Sequence, residues 1–299
     1  AGTCAGGTYD PSTGSALYNV VLGYYAGQKI PDGSGDNNVF LGLFAGRCNS
    51  SGYQNVFIGR CAGYGYHNSG SGDPITGQNN NAIGCRAGYI LTSGRYNNFF
   101  GNKTGCSNTS GSFNNFIGNG AGTDNTIGCF NNYFGDSAGA NTTTSCYNNF
   151  LGRNAGGGTH TGCYNNYFGF GAGYGISNAT GSHNTFFGKD AGKCINTGDD
   201  NVFLGYYAGK GTATGVSGDG NFAIGRCSAT AITSGSNNTF IGKYSGLSLT
   251  SGGYNVFFGA CAGKLTAGAS HNIFLGRCAG CTNTSGTANI AIGKDVVLP

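Results

Sequence analysis

The chain has 299 residues, a formal net charge of +4, 61 Gly and only 9% charged residues, with no Met and no Trp. Glu is also absent, so strong helix formers are scarce. The 20 Phe and 18 Tyr suit strands, and aromatic residues at this frequency exclude a disordered chain. The weak charge and the lack of a basic run do not indicate a nucleic-acid partner, and no apolar stretch is long enough to insert into a membrane.

A repeat runs along the sequence from its first 30 residues to its end. Each unit closes with a Gly after an Asn-x-x-Φ segment, and eleven of the fifteen intervals between these closing glycines are 17 residues. With the closing Gly as position 0, position −4 is always Asn, position −1 is Ile, Leu or Phe, and position −2 is mostly Phe. The sixteen closing glycines are Gly23, Gly42, Gly59, Gly84, Gly101, Gly118, Gly135, Gly152, Gly169, Gly188, Gly205, Gly225, Gly242, Gly259, Gly276 and Gly293.

Each unit predicts one strand of five or six residues followed by two corners marked by Gly. Seventeen residues are too few for a strand and a crossover helix, but they fit one coil of a solenoid in which each strand pairs in parallel with its copy in the next coil. We therefore predict an all-β fold, a parallel β-solenoid or β-roll of about sixteen coils. Residues 1–299 would form a single repeat domain with partial repeats at both ends.

The invariant Asn column predicts a hydrogen-bonded amide ladder, because stacked strands bring identical side chains together. We assign a structural role to two sets of residues, the ladder and the Phe column: Asn19, Asn38, Asn55, Asn114, Asn131, Asn148, Phe57, Phe116, Phe150, Phe203 and Phe257. Positions −2 and −1 are both apolar yet face opposite sides of a strand, and the sequence does not decide which is internal. The column left outside would expose too much apolar surface for a monomer, so we predict an oligomer, most simply a homotrimer or a filament of neighbouring copies.

No constellation of side chains indicates catalysis, and we expect neither an enzyme, a metal site nor a cofactor. The Asp190, Asp199 and Asp200 cluster is more typical of a solvated turn than of a carboxylate pair. The thirteen Cys leave disulfides between coils and free thiols both open, and Cys278–Cys281 is a single C-x-x-C without a second pair.

Position +1 carries a basic stripe that either binds anionic polymers or keeps strand edges soluble. Its members are Arg60, Arg153, Lys189, Arg226, Lys243, Arg277 and Lys294. A Thr/Ser column at position +8 keeps an ice-binding solenoid as a less favoured alternative. It comprises Ser50, Thr92, Thr109, Thr143, Thr233, Thr250 and Thr284.

The stretch NNVFLGLFAGRCNSSGYQNVFIGRCAG, residues 37–63, resembles the repeats of phage tail-fibre proteins. It is also similar to the left-handed β-roll head of trimeric autotransporter adhesins. The resemblance implies a trimeric fibre shaft in host attachment, located on a virion or at a cell surface, with host-surface glycans as partners. A cell-surface or extracellular filament subunit that stacks end to end is the alternative. The many Cys, and Phe where the tail-fibre repeats more often have Ala, depart from that pattern.

Overall fold

A computed structural model of the chain describes residues 18–30, 35–65, 74–158, 161–176 and 179–298. The fold is an all-β parallel solenoid of about 15 turns of ~17 residues, with sixteen strands and no helix in the described ranges. The predicted fold class is confirmed. The partial repeat predicted before Gly23 falls mostly on residues 1–17, outside the described residues. The chain divides into two compact units, Ala1–Asn148 and Asn149–Pro299.

The first unit contains seven strands, each paired in parallel with its neighbours in the sequence. Residues at the same repeat position lie opposite each other, as Val39 does with Val56 and Phe116 with Tyr133. The strands are β1 (Val20–Leu22), β2 (Val39–Leu41), β3 (Val56–Ile58), β4 (Asn81–Ile83), β5 (Asn98–Phe100), β6 (Asn115–Ile117) and β7 (Asn132–Phe134).

The second unit contains nine strands with the same parallel, in-register pairing, as where Phe186 lies opposite Phe203. They are β8 (Asn149–Leu151), β9 (Asn166–Phe168), β10 (Thr185–Phe187), β11 (Val202–Leu204), β12 (Phe222–Ile224), β13 (Thr239–Ile241), β14 (Val256–Phe258), β15 (Ile273–Leu275) and β16 (Ile290–Ile292).

Every strand is three residues long, shorter than the five or six predicted, because each flanking residue keeps only one of its two backbone groups in the ladder. The Asn before the strand bonds through its backbone N–H to the side chain of the preceding Asn, as Asn114 N does to Asn97 Oδ1 at 3.0 Å. The closing Gly turns the chain: Gly118 has φ +137°, and a Cβ there would collide with the carbonyl oxygen of Gly135.

Position −2 faces the interior. Phe57, Phe116, Phe203 and Phe257 are 0% exposed and Phe150 1%. Neighbouring rings stack, with centroids 4.6 Å apart between Phe116 and Tyr133. The sequence left open whether position −2 or position −1 fills the interior of the coil, and these rings show that position −2 does.

Small residues at positions +3 and +4 make room for those rings. Gly122, at position +4, has φ +58°, and a Cβ there would lie 2.5 Å from the Phe116 ring. One coil shows the reverse arrangement: Ala223 replaces the ring at −2, and Ala229 stands at +4 with φ +51°. Every described coil with a ring at −2 has Gly at +4, whereas of the coils with Ala at −2 the Ala82 coil keeps Gly88 and the Ala223 coil has Ala229.

The Asn column forms a continuous amide ladder inside each unit. Asn131 N donates to Asn114 Oδ1 at 3.0 Å, and Asn131 Nδ2 donates to the carbonyl of Ser145 at 2.7 Å. Asn148 N repeats the pattern with Asn131 Oδ1, as Asn55 N does with Asn38 Oδ1 and Asn38 N with Asn19 Oδ1. Each buried amide thus accepts a hydrogen bond from the corresponding Asn of the next coil and donates one to a carbonyl in the corner that precedes that Asn.

Besides the closing Gly and position +4, two further positions of the described coils have positive φ: position −5, before the Asn, and position +2, after the closing Gly. The occupants are frequently not Gly: Phe113 has φ +59° and Lys103 φ +54°. Because this conformation disfavours residues with a side chain, the corners store strain that the stacked ladder must offset.

Candidate assembly and binding surfaces

The outward face of each unit's sheet is built from the first and third residues of the strands. The third residues, at position −1, are apolar in every strand and partly or fully exposed; Phe187 is 60% exposed and Phe258 54%. Since three-residue strands alternate, position −1 must face outward once position −2 faces inward. The structure therefore resolves which apolar column remains outside.

The first strand residues divide this outward face into polar and apolar stretches. In β4–β7 they are Asn, and a second amide ladder links them: Asn98 Nδ2 donates to Asn115 Oδ1 at 2.7 Å, and Asn115 Nδ2 to Asn132 Oδ1 at 2.8 Å. In β11–β16 they are apolar except for Thr239. This outer ladder is not among the features predicted from the sequence, although its Asn-Asn pairs are visible there.

A stack of exposed rings runs along one corner of the first unit at position −5. Tyr96, Phe113, Phe130 and Tyr147 follow one another with ring centroids 4.8–4.9 Å apart and are each 42–45% exposed. The position varies in residue type along the chain, with Asn, His, Asp and Gly also occurring. Because the residue type at position −5 varies, the sequence alone does not indicate the ring stack.

The basic residues predicted at position +1 all lie on the surface. Arg60 belongs to the first unit and the other six to the second. Near the end of the chain, Arg277 and Lys294 both lie within 4 Å of the Asp295 carboxylate. Arg153, Lys189 and Arg226 alternate at position +1 with aromatic rings; Arg153 Cζ lies 5.8 Å from the centroid of the Phe170 ring.

The Thr column at position +8 uses its hydroxyl groups within the fold. Thr92 Oγ1 donates to the Thr109 carbonyl at 3.0 Å, Thr109 Oγ1 to the Thr126 carbonyl at 3.2 Å, and Thr233 Oγ1 to the Thr250 carbonyl at 2.8 Å. These hydrogen bonds join each coil to the next at position +8.

Two members of the acidic cluster have partners within the fold, and the solvated turn predicted for the cluster is wrong at Asp190. Asp190 is buried and bridges to Lys193, with Nζ 3.3 Å from Oδ1. Asp199 Oδ1 accepts the Ser182 backbone N–H at 2.7 Å in the corner before the strand. Both carboxylates thus serve local structure.

No disulfide joins the twelve described cysteines in the structure, and Cys4 lies outside the described residues. Desolvation is the main cause that raises the pKa of five of these thiols, which disfavours the reactive thiolate. They are Cys48, Cys61, Cys106, Cys194 and Cys278. Among the described residues no group of three or more His, Cys, Asp or Glu side chains is placed to hold a metal ion.

No helix in the described ranges is long and apolar enough to cross a membrane. Comparison of the chain with protein families, with curated proteins and with solved structures finds no match in any of the three.

Proposed function

We propose that the chain is the shaft of a self-associating fibre on a virion or at a cell surface, and that its role is attachment. The observation that carries the proposal is the apolar outward face of the sheet. The resemblance of residues 37–63 to tail-fibre repeats supports the same role and makes three-fold symmetry the preferred closure.

The apolar face is larger than a soluble monomer normally exposes. From β11 to β16, eleven of the twelve outward strand positions are apolar, and Ile290 and Ile292 are each 66% exposed. Together these side chains offer on the order of 700 Å² to solvent, above the ~300–600 Å² typical of a monomer's largest patch and near the ~800 Å² per partner of a stable interface.

A second copy of this chain is the partner that best fits this face. The face carries no charged residue in β11–β16, so a partner must itself be apolar there. It is also periodic, because each outward side chain repeats from coil to coil at the spacing of parallel strands. Another copy offers the same flat, uncharged and equally spaced surface.

Light scattering of the whole chain after gel filtration tests this proposal. We expect a mass of at least two chains at low micromolar concentration. Replacing Ile241 and Phe258, outward residues of adjacent strands, by Gln should shift the mass towards one chain while the far-ultraviolet spectrum remains unchanged. Leu265→Gln is the control, because Leu265 is 48% exposed but lies off the strands. A folded, monomeric wild-type chain would refute the proposal.

A further inference from the structure

The net positive charge of the chain is concentrated in its second unit. Residues 1–148 contain six Lys or Arg and six Asp, whereas residues 149–299 contain nine and five. The whole formal charge of +4 therefore belongs to the second unit. A cationic surface confined to one part of a repeat protein calls for a local explanation.

Five successive coils of the second unit place cations or aromatic rings at position +1, and the two kinds alternate as far as Arg226. We call this set the basic rail; it consists of Phe170, Lys189, Tyr206, Arg226 and Lys243, all exposed. Lys189 Nζ lies 5.7 Å from the Phe170 ring centroid and 5.8 Å from that of Tyr206, and Arg226 Cζ lies 5.8 Å from the Tyr206 centroid. The rings hold the cations in line, since cation–π contacts orient a charge without neutralising it.

The three cations of the basic rail have no carboxylate partner among the described residues. Ion pairs in the second unit join Lys193 with Asp190, and Asp295 with Arg277 and Lys294. Asp199 and Asp219 lie in the corner before the strand, where their carboxylates accept backbone N–H groups. No ion pair in the described part of the chain therefore neutralises the basic rail.

We propose that the basic rail binds a linear acidic polysaccharide lying along the direction in which the coils stack. Lys189 and Arg226 are two coils apart, about 10 Å at the spacing of parallel strands, and Lys243 is one coil further. Steps of one and two coils suit a polymer such as polygalacturonate, which carries an acidic group on each sugar ring. The hydroxyl groups of Tyr206, Tyr207 and Tyr244 beside the cations can bond to sugar hydroxyls. This inference rests on the attachment role proposed above and adds a ligand class to it.

A single-stranded nucleic acid fits the same surface less well. Proteins that bind it stack bases on open aromatic faces. In the basic rail, Tyr206 is approached by Lys189 from the preceding coil and by Arg226 from the following one. The cations thus occupy the position over this ring that a base would need for stacking. A ligand would meet a row of charges and hydroxyl groups instead.

Binding of fluorescent polygalacturonate to the whole chain tests the proposal, with neutral dextran and oligo(dT) as comparison probes. We expect wild type to bind polygalacturonate in a salt-dependent manner and not to bind dextran. Replacing Lys189, Arg226 and Lys243 by Gln should weaken binding about tenfold and reduce the salt dependence, as expected for the loss of three exposed ion pairs.

A matched control removes the same charge elsewhere. Replacing Arg95, Lys103 and Lys264 by Gln gives the same net charge, but none of the three lies in the basic rail; this variant should bind within twofold of wild type. Equal weakening by both triple variants, no polygalacturonate binding by wild type, or tighter rail-dependent binding of oligo(dT) would each overturn the inference. Light scattering on the same samples shows whether the assembly is intact, so loss of binding is distinguished from failure of the proposed fibre.

Discussion

Phe116 and Phe113 provide a direct test of which side of the coil is the core. Phe116 is fully buried, with its ring 5.3 Å from that of Phe99 and 4.6 Å from that of Tyr133. Phe113, three residues earlier, is 45% exposed in the outer ring stack. Replacing each Phe by Asn makes the same chemical change inside and outside one coil.

The expected cost of Phe116→Asn is at least about 4 kcal/mol. A buried Phe removes ~200 Å² from water, worth ~5 kcal/mol at ~25 cal/mol per Å², and a buried amide without partners adds ~1–3 kcal/mol. Denatured-state compactness reduces the first figure by roughly 10–40%.

Phe113→Asn should cost about 1 kcal/mol. The lost stacking is partly offset because Asn tolerates the left-handed φ of +59° better than Phe does. Asn37, Asn79 and Asn237 already occupy this position in other coils with φ of 57–58°.

Denaturant unfolding and hydrogen exchange together measure the difference. Repeat proteins open in parts, so exchange of the amides in residues 98–134 should report the local loss even where the global midpoint moves little. We expect much faster exchange there for Phe116→Asn than for Phe113→Asn. Equal effects of the two variants, or a larger effect at Phe113, would show that the assignment of faces is wrong.

Three further outcomes follow from the packing. Ala223→Phe should lower the free energy of unfolding by about 1–3 kcal/mol, because the new ring meets the Cβ of Ala229. Adding Ala229→Gly should recover much of that loss. Additive effects of the two substitutions in chemical denaturation would contradict the pairing. Burial raises the pKa of Tyr133 to about 12, so its contribution to stability is fully present below pH ~10 and is lost as the pH rises to ~12, a change of about 3 kcal/mol. Tyr133→Phe should flatten that part of the unfolding profile, and an unchanged slope would contradict it. Asn131→Leu should lower the free energy of unfolding by about 2–4 kcal/mol, because it removes the acceptor of the Asn148 N–H and the donor to the Ser145 carbonyl. A neutral result by thermal unfolding would mean that the ladder contributes no stability.

The repeat was predictable because each coil obeys the same local rule, and sixteen copies make that rule visible. The strand length was not, since the shortening depends on the Asn97 side chain replacing a backbone acceptor for Asn114. The choice between the two apolar columns was also hidden by their similar composition. A usable signal existed at position +4, which is Gly in every coil that has an aromatic ring at −2. The clustering of charge around Lys189 could not be read from a net charge of +4.

The left-handed corners set a minimum size for any autonomous fragment of this fold. A lone coil such as residues 102–118 would keep the strain at Lys103 and Phe113 but would have no neighbour to accept its backbone N–H groups. Strain grows in proportion to the number of coils, whereas the interfaces that offset it number one fewer than the coils. Short excised fragments should therefore remain unfolded, and stability should appear only above a threshold number of coils and then rise by a constant step with each added copy.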